Sequence, residues 1–207
     1  MRKTRQFSFF EGENTMERTF VMLKPDCVQR ALCGEVISRF EKAGLKIVAM
    51  KMTKPSKELV TKHYPSDDKW LSIVGSKTLE SYQKFGIDPK KELGTDNAIE
   101  IGKMVKGWLV DFICGSPVIA FVLEGNHSVE NVRKIVGSTL PLVALPGTVR
   151  GDYAVDSPDL ANAKKRPIRN LIHASGSIEE AKFEIGLWFT AKEIYEYKRA
   201  DDSIING

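Results

Sequence analysis

The sequence predicts an α+β fold, a ferredoxin-like βαββαβ sandwich in which helices pack on one face of an antiparallel sheet, with insertions. Two observations carry that expectation. Short apolar runs bounded by Gly and Pro alternate with stretches whose apolar residues recur at helical spacing, in the order strand, helix, strand, helices, strand, helix, strand, helix. One run, Val118 to Leu123, is continuously apolar, as expected of a central strand covered on both faces. A doubly wound parallel sheet is the competing plan. It needs a crossover helix between every adjacent strand pair, and the short link at Gly44 does not by itself exclude it.

The elements follow in order. Thr19 to Leu23 is an apolar strand stopped by Lys24-Pro25-Asp26. Gly34 to Ala43 places Val36, Ile37, Phe40 and Ala43 on one helical face, with Gly44 as terminator. Leu45 to Met52 is the next strand. Ser56 caps a helix carrying Leu59, Val60, His63 and Tyr64, which Pro65 stops. Residues 65 to 115 are too many for a structureless loop, and two helices are expected there. Thr78 to Phe85 is the weaker; Asn97 with Glu100 caps the stronger, bearing Ile101, Met104, Val105, Trp108, Leu109 and Phe112, and Asp88-Pro89 reads as a turn between them. Ser128 is expected to cap a helix with Val129, Val132 and Val136 inward and Gly137 at its end, and Gly151 to Asp156 is the last strand candidate. Ser177 with Glu180 reads as a capping box for a final helix reaching about Phe189.

A chain of 207 residues can bury a substantial core, and residues 16 to 207 are expected to form one domain. Its 31 Lys and Arg against 27 Asp and Glu leave a net charge of +4, which suits small anionic ligands better than a stable nucleic-acid partner. Cys27, Cys33 and Cys114 form no CxxC pair, and the three histidines lie far apart in sequence, so neither a disulfide framework nor a zinc finger is indicated and the setting reads as cytoplasmic. No apolar run approaches the roughly 18 residues of a membrane span. Residues 1 to 15 lack the features of a secretory signal and read as a flexible extension, with Met16 as a second plausible start.

The chemistry concentrates at Arg169-Asn170-Leu171-Ile172-His173-Ala174-Ser175-Gly176-Ser177. His173 lies between an apolar, strand-like approach and a helix start, where unpaired N–H groups and the helix dipole favour an anion. The bland alternative is a histidine that only ends a strand. Neither GxxxxGK[ST] nor GxGxxG is present, so phosphates need another cradle. Lys24, Arg133, Arg150 and Arg169 are the candidate cations, each against the reading of a solvated surface charge.

Glu17-Arg18-Thr19-Phe20 leading into Lys24-Pro25-Asp26, then Gly34-Glu35-Val36-Ile37, Pro146-Gly147-Thr148 with Arg150-Gly151-Asp152, and Arg169-Asn170 before His173 and Ser175 together resemble the signature segments of the nucleoside diphosphate kinase family. The likeness runs from Met16 to about Lys198. It implies that His173 takes the γ-phosphoryl group of a nucleoside triphosphate and passes it to a nucleoside diphosphate in a ping-pong cycle. Glu184 would hold the other ring nitrogen, and Ser175 matches the serine beside the histidine. Lys24, Tyr64, Arg133, Thr139, Arg150 and Asn170 fall at positions that contact phosphates or ribose. The resemblance also implies Mg2+ held mainly through the nucleotide phosphates, and a homo-oligomer, commonly a hexamer.

The family holds the base by an aromatic clamp. Trp70 is the nearest candidate, with a core tryptophan as the competing reading. Extra residues stand near 65–115 and 156–167, the latter with a Lys164-Lys165-Arg166 cluster that reads as a solvated face. Three other functions compete. An RNA-binding module would need an RNP-type aromatic stripe, of which only Phe121 is present; a phosphotransfer relay would set its histidine within a helix bundle; and an inactive relative would keep the site as a sensor.

Overall fold

The computed structural model describes residues 16 to 205; the expected extension at residues 1 to 15 lies outside them. The elements are β1 (Glu17–Leu23), α1 (Pro25–Gln29), α2 (Cys33–Lys42), β2 (Lys46–Thr53), α3 (Lys57–His63), α4 (Asp68–Lys84), α5 (Pro89–Leu93), α6 (Ala98–Gly115), β3 (Val118–Gly125), α7 (Ser128–Val136), α8 (Val149–Tyr153), α9 (Pro158–Ala163), β4 (Ile172–Ala174), α10 (Ile178–Trp188) and α11 (Asp202–Ile205). The sheet runs β2-β3-β1-β4 with every neighbouring pair antiparallel, which is the expected α+β architecture and excludes the parallel plan.

Alternation along β1 divides the interior in two. Val21 and Leu23 join Phe121 and Leu123 of β3 beneath Val36 and Phe40 of α2 and Val132 and Val136 of α7. Phe20 and Met22 point the other way and join Ala120, Val122, Val60 of α3, Val110 and Ile113 of α6 and Trp188 of α10. Helices therefore cover both faces of the sheet, not one. The continuous apolar run in β3 is the sequence sign of that, because each alternate residue has its own helical layer to meet.

Three local expectations need correction. Gly151 to Asp156 is not a strand: Thr148 caps α8 by accepting from the Gly151 N–H at 3.0 Å, and Asp152 turns back to accept from the Gly147 N–H at 2.7 Å. The fourth strand is β4, whose three residues are too few to show a period of two. The N-cap of α7 is His127, in the left-handed region at φ 46°, rather than Ser128. Glu17 of β1 caps that helix from outside by accepting from the Val129 N–H at 2.6 Å, placing a carboxylate on the positive end of the dipole. The helix expected from Thr78 begins at Asp68, capped by Asp67, and the Asp88-Pro89 turn opens the short helix α5.

The α4/α6 pair is joined by two glycine contacts. A Cβ on Gly75 would stand 1.8 Å from the Ala98 carbonyl oxygen, and one on Gly102 would stand 2.1 Å from that of Leu71. Both obstacles are backbone, so no side-chain rearrangement relieves them. Gly102→Ala should cost about 1–3 kcal/mol of unfolding free energy, the usual penalty for overpacking, read as a lower urea midpoint at unchanged slope.

Candidate active site

His173 owes its place to the turn before it. Leu171 sits in the left-handed region at φ 68°, unusual for a branched residue, and the Ile172 N–H reaches back to the Asn170 carbonyl at 2.8 Å. Asp26 fixes that turn by accepting from the Leu171 N–H at 2.9 Å, and the Lys24 N–H donates to the Leu171 carbonyl at 2.8 Å. The β4 strand then sets His173 opposite Met22 of β1.

Behind the ring, His173 Nε2 lies 2.7 Å from Glu184 Oε1, and the Ser175 hydroxyl donates to Glu184 Oε2 at 2.6 Å. Glu184 is buried one and a half turns into α10, whose N-cap Ser177 accepts from the Glu180 N–H. A carboxylate accepts only, so this pair puts the imidazole proton on Nε2 and leaves the lone pair on Nδ1. Burial, then the charges of Lys24, Arg150 and Arg133, hold the His173 pKa well below the ordinary histidine value, with Glu180 opposing. Burial raises that of Glu184. The ring is thus kept neutral, the state in which a nitrogen can attack phosphorus.

In front of the ring opens a cleft of about 990 Å³ lined by Lys24, Tyr64, Arg133, Thr139, Arg150, Asn170 and His173 among others. Lys24 is buried and donates to Asn170 Oδ1 at 2.7 Å; Asn170 Nδ2 donates to the Thr139 carbonyl at 2.8 Å. Arg150, also buried, donates to the carbonyls of Asn170 (3.2 Å), Gly137 (2.9 Å) and Ile172 (2.6 Å). None of these acceptors carries charge. Two buried cations therefore share one wall, and each depresses proton affinity: Lys24 is lowered to about 8 by burial and then Arg150, and Arg150 to about 10 by burial and then Arg133. Such a wall is complementary to an anion, because phosphate oxygens supply the charge that the protein withholds.

Arg169, exposed and not lining the cleft, lies apart from this constellation, and so does Trp70. It borders a smaller hollow of about 430 Å³ on another side of His173, with His63, Phe183 and Glu184, and its ring centroid is 6.3 Å from that of Tyr64. Ser175 and Glu184 stand behind the imidazole. Arg166 is not a solvated charge but is clamped to Asp156 through both guanidinium nitrogens, at 2.5 and 3.0 Å.

Sequence reasoning missed two groups. His63, read only as a residue of an amphipathic helix, packs edge-on against His173 with centroids 4.5 Å apart; its Nδ1 accepts from the Trp188 indole N–H at 3.3 Å and its Nε2 has no partner among the described residues. Lys106, buried without a carboxylate, donates to the carbonyls of Tyr64 (2.8 Å) and Pro65 (3.1 Å) and so holds Tyr64 in place. The only hint of either was position: His63 precedes Tyr64, and Lys106 lies among the apolar residues of α6.

The fold and site define a class: an α+β phosphotransfer protein with a neutral histidine beside a buried cationic wall. The family profile described as "Nucleoside diphosphate kinase" matches residues 17–70 and 98–194, leaving out most of α4 and all of α5. A nucleoside diphosphate kinase from Pyrobaculum aerophilum is 52% identical over 181 residues, covering 87% of this chain and 99% of its own. One from Pyrococcus furiosus is 43% identical over 189 residues, covering 91% and 92%. The crystal structure of the Pyrobaculum aerophilum NDP kinase aligns with TM-score 0.86 at 51% identity, over 87% of this chain and all of that one. A Borrelia burgdorferi nucleoside-diphosphate kinase, solved as a transition-state mimic with bound vanadate and ADP, aligns with TM-score 0.73 at 36% identity over 94% and 99%. This chain belongs to the nucleoside diphosphate kinase family.

Proposed function

We propose that this chain is a nucleoside diphosphate kinase in which His173 Nδ1 is the nucleophile. It attacks the γ-phosphorus of a bound nucleoside triphosphate; the bond to the bridging oxygen breaks, the diphosphate leaves, and the phosphohistidine then transfers its phosphoryl group to a second nucleoside diphosphate. The observation that carries this is the pairing of His173 Nε2 with Glu184 at 2.7 Å, on a ring that lines the cleft bearing Lys24 and Arg150. Arg133 and Arg150 stabilise the equatorial oxygens, Lys24 and Asn170 act as one hydrogen-bonded unit on the phosphates, and Thr139 and Tyr64 complete the phosphate and ribose contacts. Because one phosphoanhydride is broken and another formed, the exchange runs freely in both directions.

Magnesium belongs to this reading, carried on the nucleotide. Among the described residues, the grouping close enough to grip an ion is His63, His173 and Glu184. Its nitrogen donors suit softer metals, and its carboxylate is committed to His173 and Ser175. The residues present therefore fit an ion that would arrive with the nucleotide and would supply charge neutralisation to the phosphates. We also infer a homo-oligomer, commonly hexameric in the family, and a cytoplasmic setting. Exposed Met50, Met52, Leu142 and Leu145 support the first, and three free thiols the second. No helix among the described residues is long and apolar enough to cross a membrane.

The test is direct. Incubated with γ-labelled ATP and Mg2+, the protein should take up an acid-labile, base-stable label, and a chase with GDP should release it as GTP. Absence of label, or a label that GDP leaves in place, rejects the assignment. Glu184→Ala should keep nucleotide affinity and slow labelling roughly 10- to 100-fold, because a hydrogen bond to a charged group contributes about 1.5–3 kcal/mol. An unchanged rate would show that the carboxylate is not needed to set the tautomer.

A further inference from the structure

His63 of α3, His173 of β4 and Glu184 of α10 each offer a ligand atom, and these atoms lie within 4.8 Å of one another. Glu184 Oε1 is the hub, 2.7 Å from His173 Nε2 and 3.6 Å from His63 Nδ1. Ligands of a tetrahedral zinc ion stand about 3.4 Å apart, so the two edges bracket the spacing such an ion requires. His63 is buried, yet its ring has one hydrogen bond, the long one from Trp188 to Nδ1, and its Nε2 has no partner among the described residues. An apolar residue would fill that place at lower cost. The tautomer also suits a metal, because the indole N–H keeps a lone pair on Nδ1, the nitrogen 3.6 Å from Glu184. Burial, before any charge effect, lowers both imidazoles to about 3, so protons compete little for either lone pair near neutral pH.

We propose that these three residues form a binding site for a zinc-type divalent cation, entered through the hollow of about 430 Å³ beside Trp70, in which the ion takes the place of the His173 Nε2 proton. His173 binds it through the Nε2 lone pair, and the displaced proton moves to Nδ1. His63 binds through Nδ1 and keeps its proton on Nε2. Glu184 binds through Oε1, while Oε2 stays on the Ser175 hydroxyl at 2.6 Å, the kind of outer hydrogen bond that fixes ligands at metal centres. Water completes the four ligands. Lys24, Arg133 and Arg150 oppose a cation from the cleft, whereas the carboxylates of Glu184 and Glu180 attract it from the hollow. Two nitrogens and one carboxylate favour zinc over magnesium. A proton on Nδ1 leaves no lone pair for the γ-phosphorus, so the loaded protein is silenced; this consequence, unlike the site itself, rests on the nucleoside diphosphate kinase reading.

The experiment uses the nucleotide-free full chain and Zn2+ alone. Calorimetry should show one ion per chain, bound at least about tenfold more weakly by His63→Gln and with unchanged affinity by a Cys33→Ser, Cys114→Ser protein, which lacks the two half-buried thiols. Ring 15N spectra of the unsubstituted protein should show the His173 proton moving from Nε2 to Nδ1 as Zn2+ is added, a readout that stands even if His63→Gln does not fold. Labelling of the zinc-loaded protein by γ-labelled ATP and Mg2+ should be slowed at least about tenfold and recover with a zinc-selective chelator, whereas Zn2+ should change His63→Gln labelling less than about twofold. Equal affinity in His63→Gln, or a His173 proton that stays on Nε2, overturns the site. Undiminished labelling of the loaded protein overturns the silencing. Zinc bound as described to a protein that takes no label without it would instead remove the activity assignment and leave the site standing.

Discussion

His173→Asn should abolish phosphotransfer, with turnover down at least about 10⁴-fold and no label retained from γ-labelled ATP, as expected when a covalent nucleophile is removed. Asparagine is the informative replacement. Its carboxamide overlays the Nδ1 side of the ring and stops short of the place where His173 Nε2 now sits 2.7 Å from Glu184, so Glu184 keeps its Ser175 hydrogen bond and the melting temperature should fall only modestly. The cationic wall is untouched by the change, because Lys24 and Arg150 are held by Asn170, Gly137 and Ile172 carbonyl or amide oxygens and not by the imidazole. Nucleotide should therefore bind the variant with near-normal affinity by calorimetry. Label on His173→Asn at the wild-type rate would place the phosphoryl acceptor elsewhere. Lost affinity alongside lost activity would mean that His173 is part of the phosphate cradle rather than the group that attacks.

Much of this site was legible in the sequence because its parts are anchored by local signals. The Ser177–Glu180 cap announces α10 and so places Glu184, and Lys24 follows an apolar strand ended by Pro25. What stayed hidden depends on long-range contacts. β4 has three residues and owes its existence to pairing with β1; no periodicity can appear in so short a run. The helix that replaced the last expected strand is decided by Thr148 and Asp152 closing a turn, which outweighs the strand-like Tyr153-Ala154-Val155 run. The role of His63 comes from α3 packing its buried face beside β4, and the stacking candidate Trp70 was placed by proximity to Tyr64 in sequence, which a rigid α4 turns away from the larger cleft.

Lys24 should give the second-largest effect and a pH signature of its own. Replacing it with methionine should lower kcat about 10²–10³-fold, the usual cost of removing one preorganised donor to developing negative charge. Its proton sets the alkaline limit. The ammonium is depressed from the ordinary 10.5 to about 8, by burial first and Arg150 next, with Asp26 opposing. Between about 8 and 10.5 the unfolded chain holds that proton more firmly than the folded one, so the nucleotide-free protein gains stability as pH rises through this window. Substrate binding runs the other way, since phosphates beside Lys24 favour the charged form. Above pH 8 binding must therefore take up a proton, and kcat/KM should fall as pH passes about 8. His173 sets no limit on that side, because its pKa is driven down and the ring is already neutral. Lys24→Met should remove the alkaline limb and the proton uptake together, the latter read as loss of the buffer dependence of the calorimetric binding heat. A limb that persists in the methionine variant would assign the ionisation to another group and separate Lys24 from the phosphates.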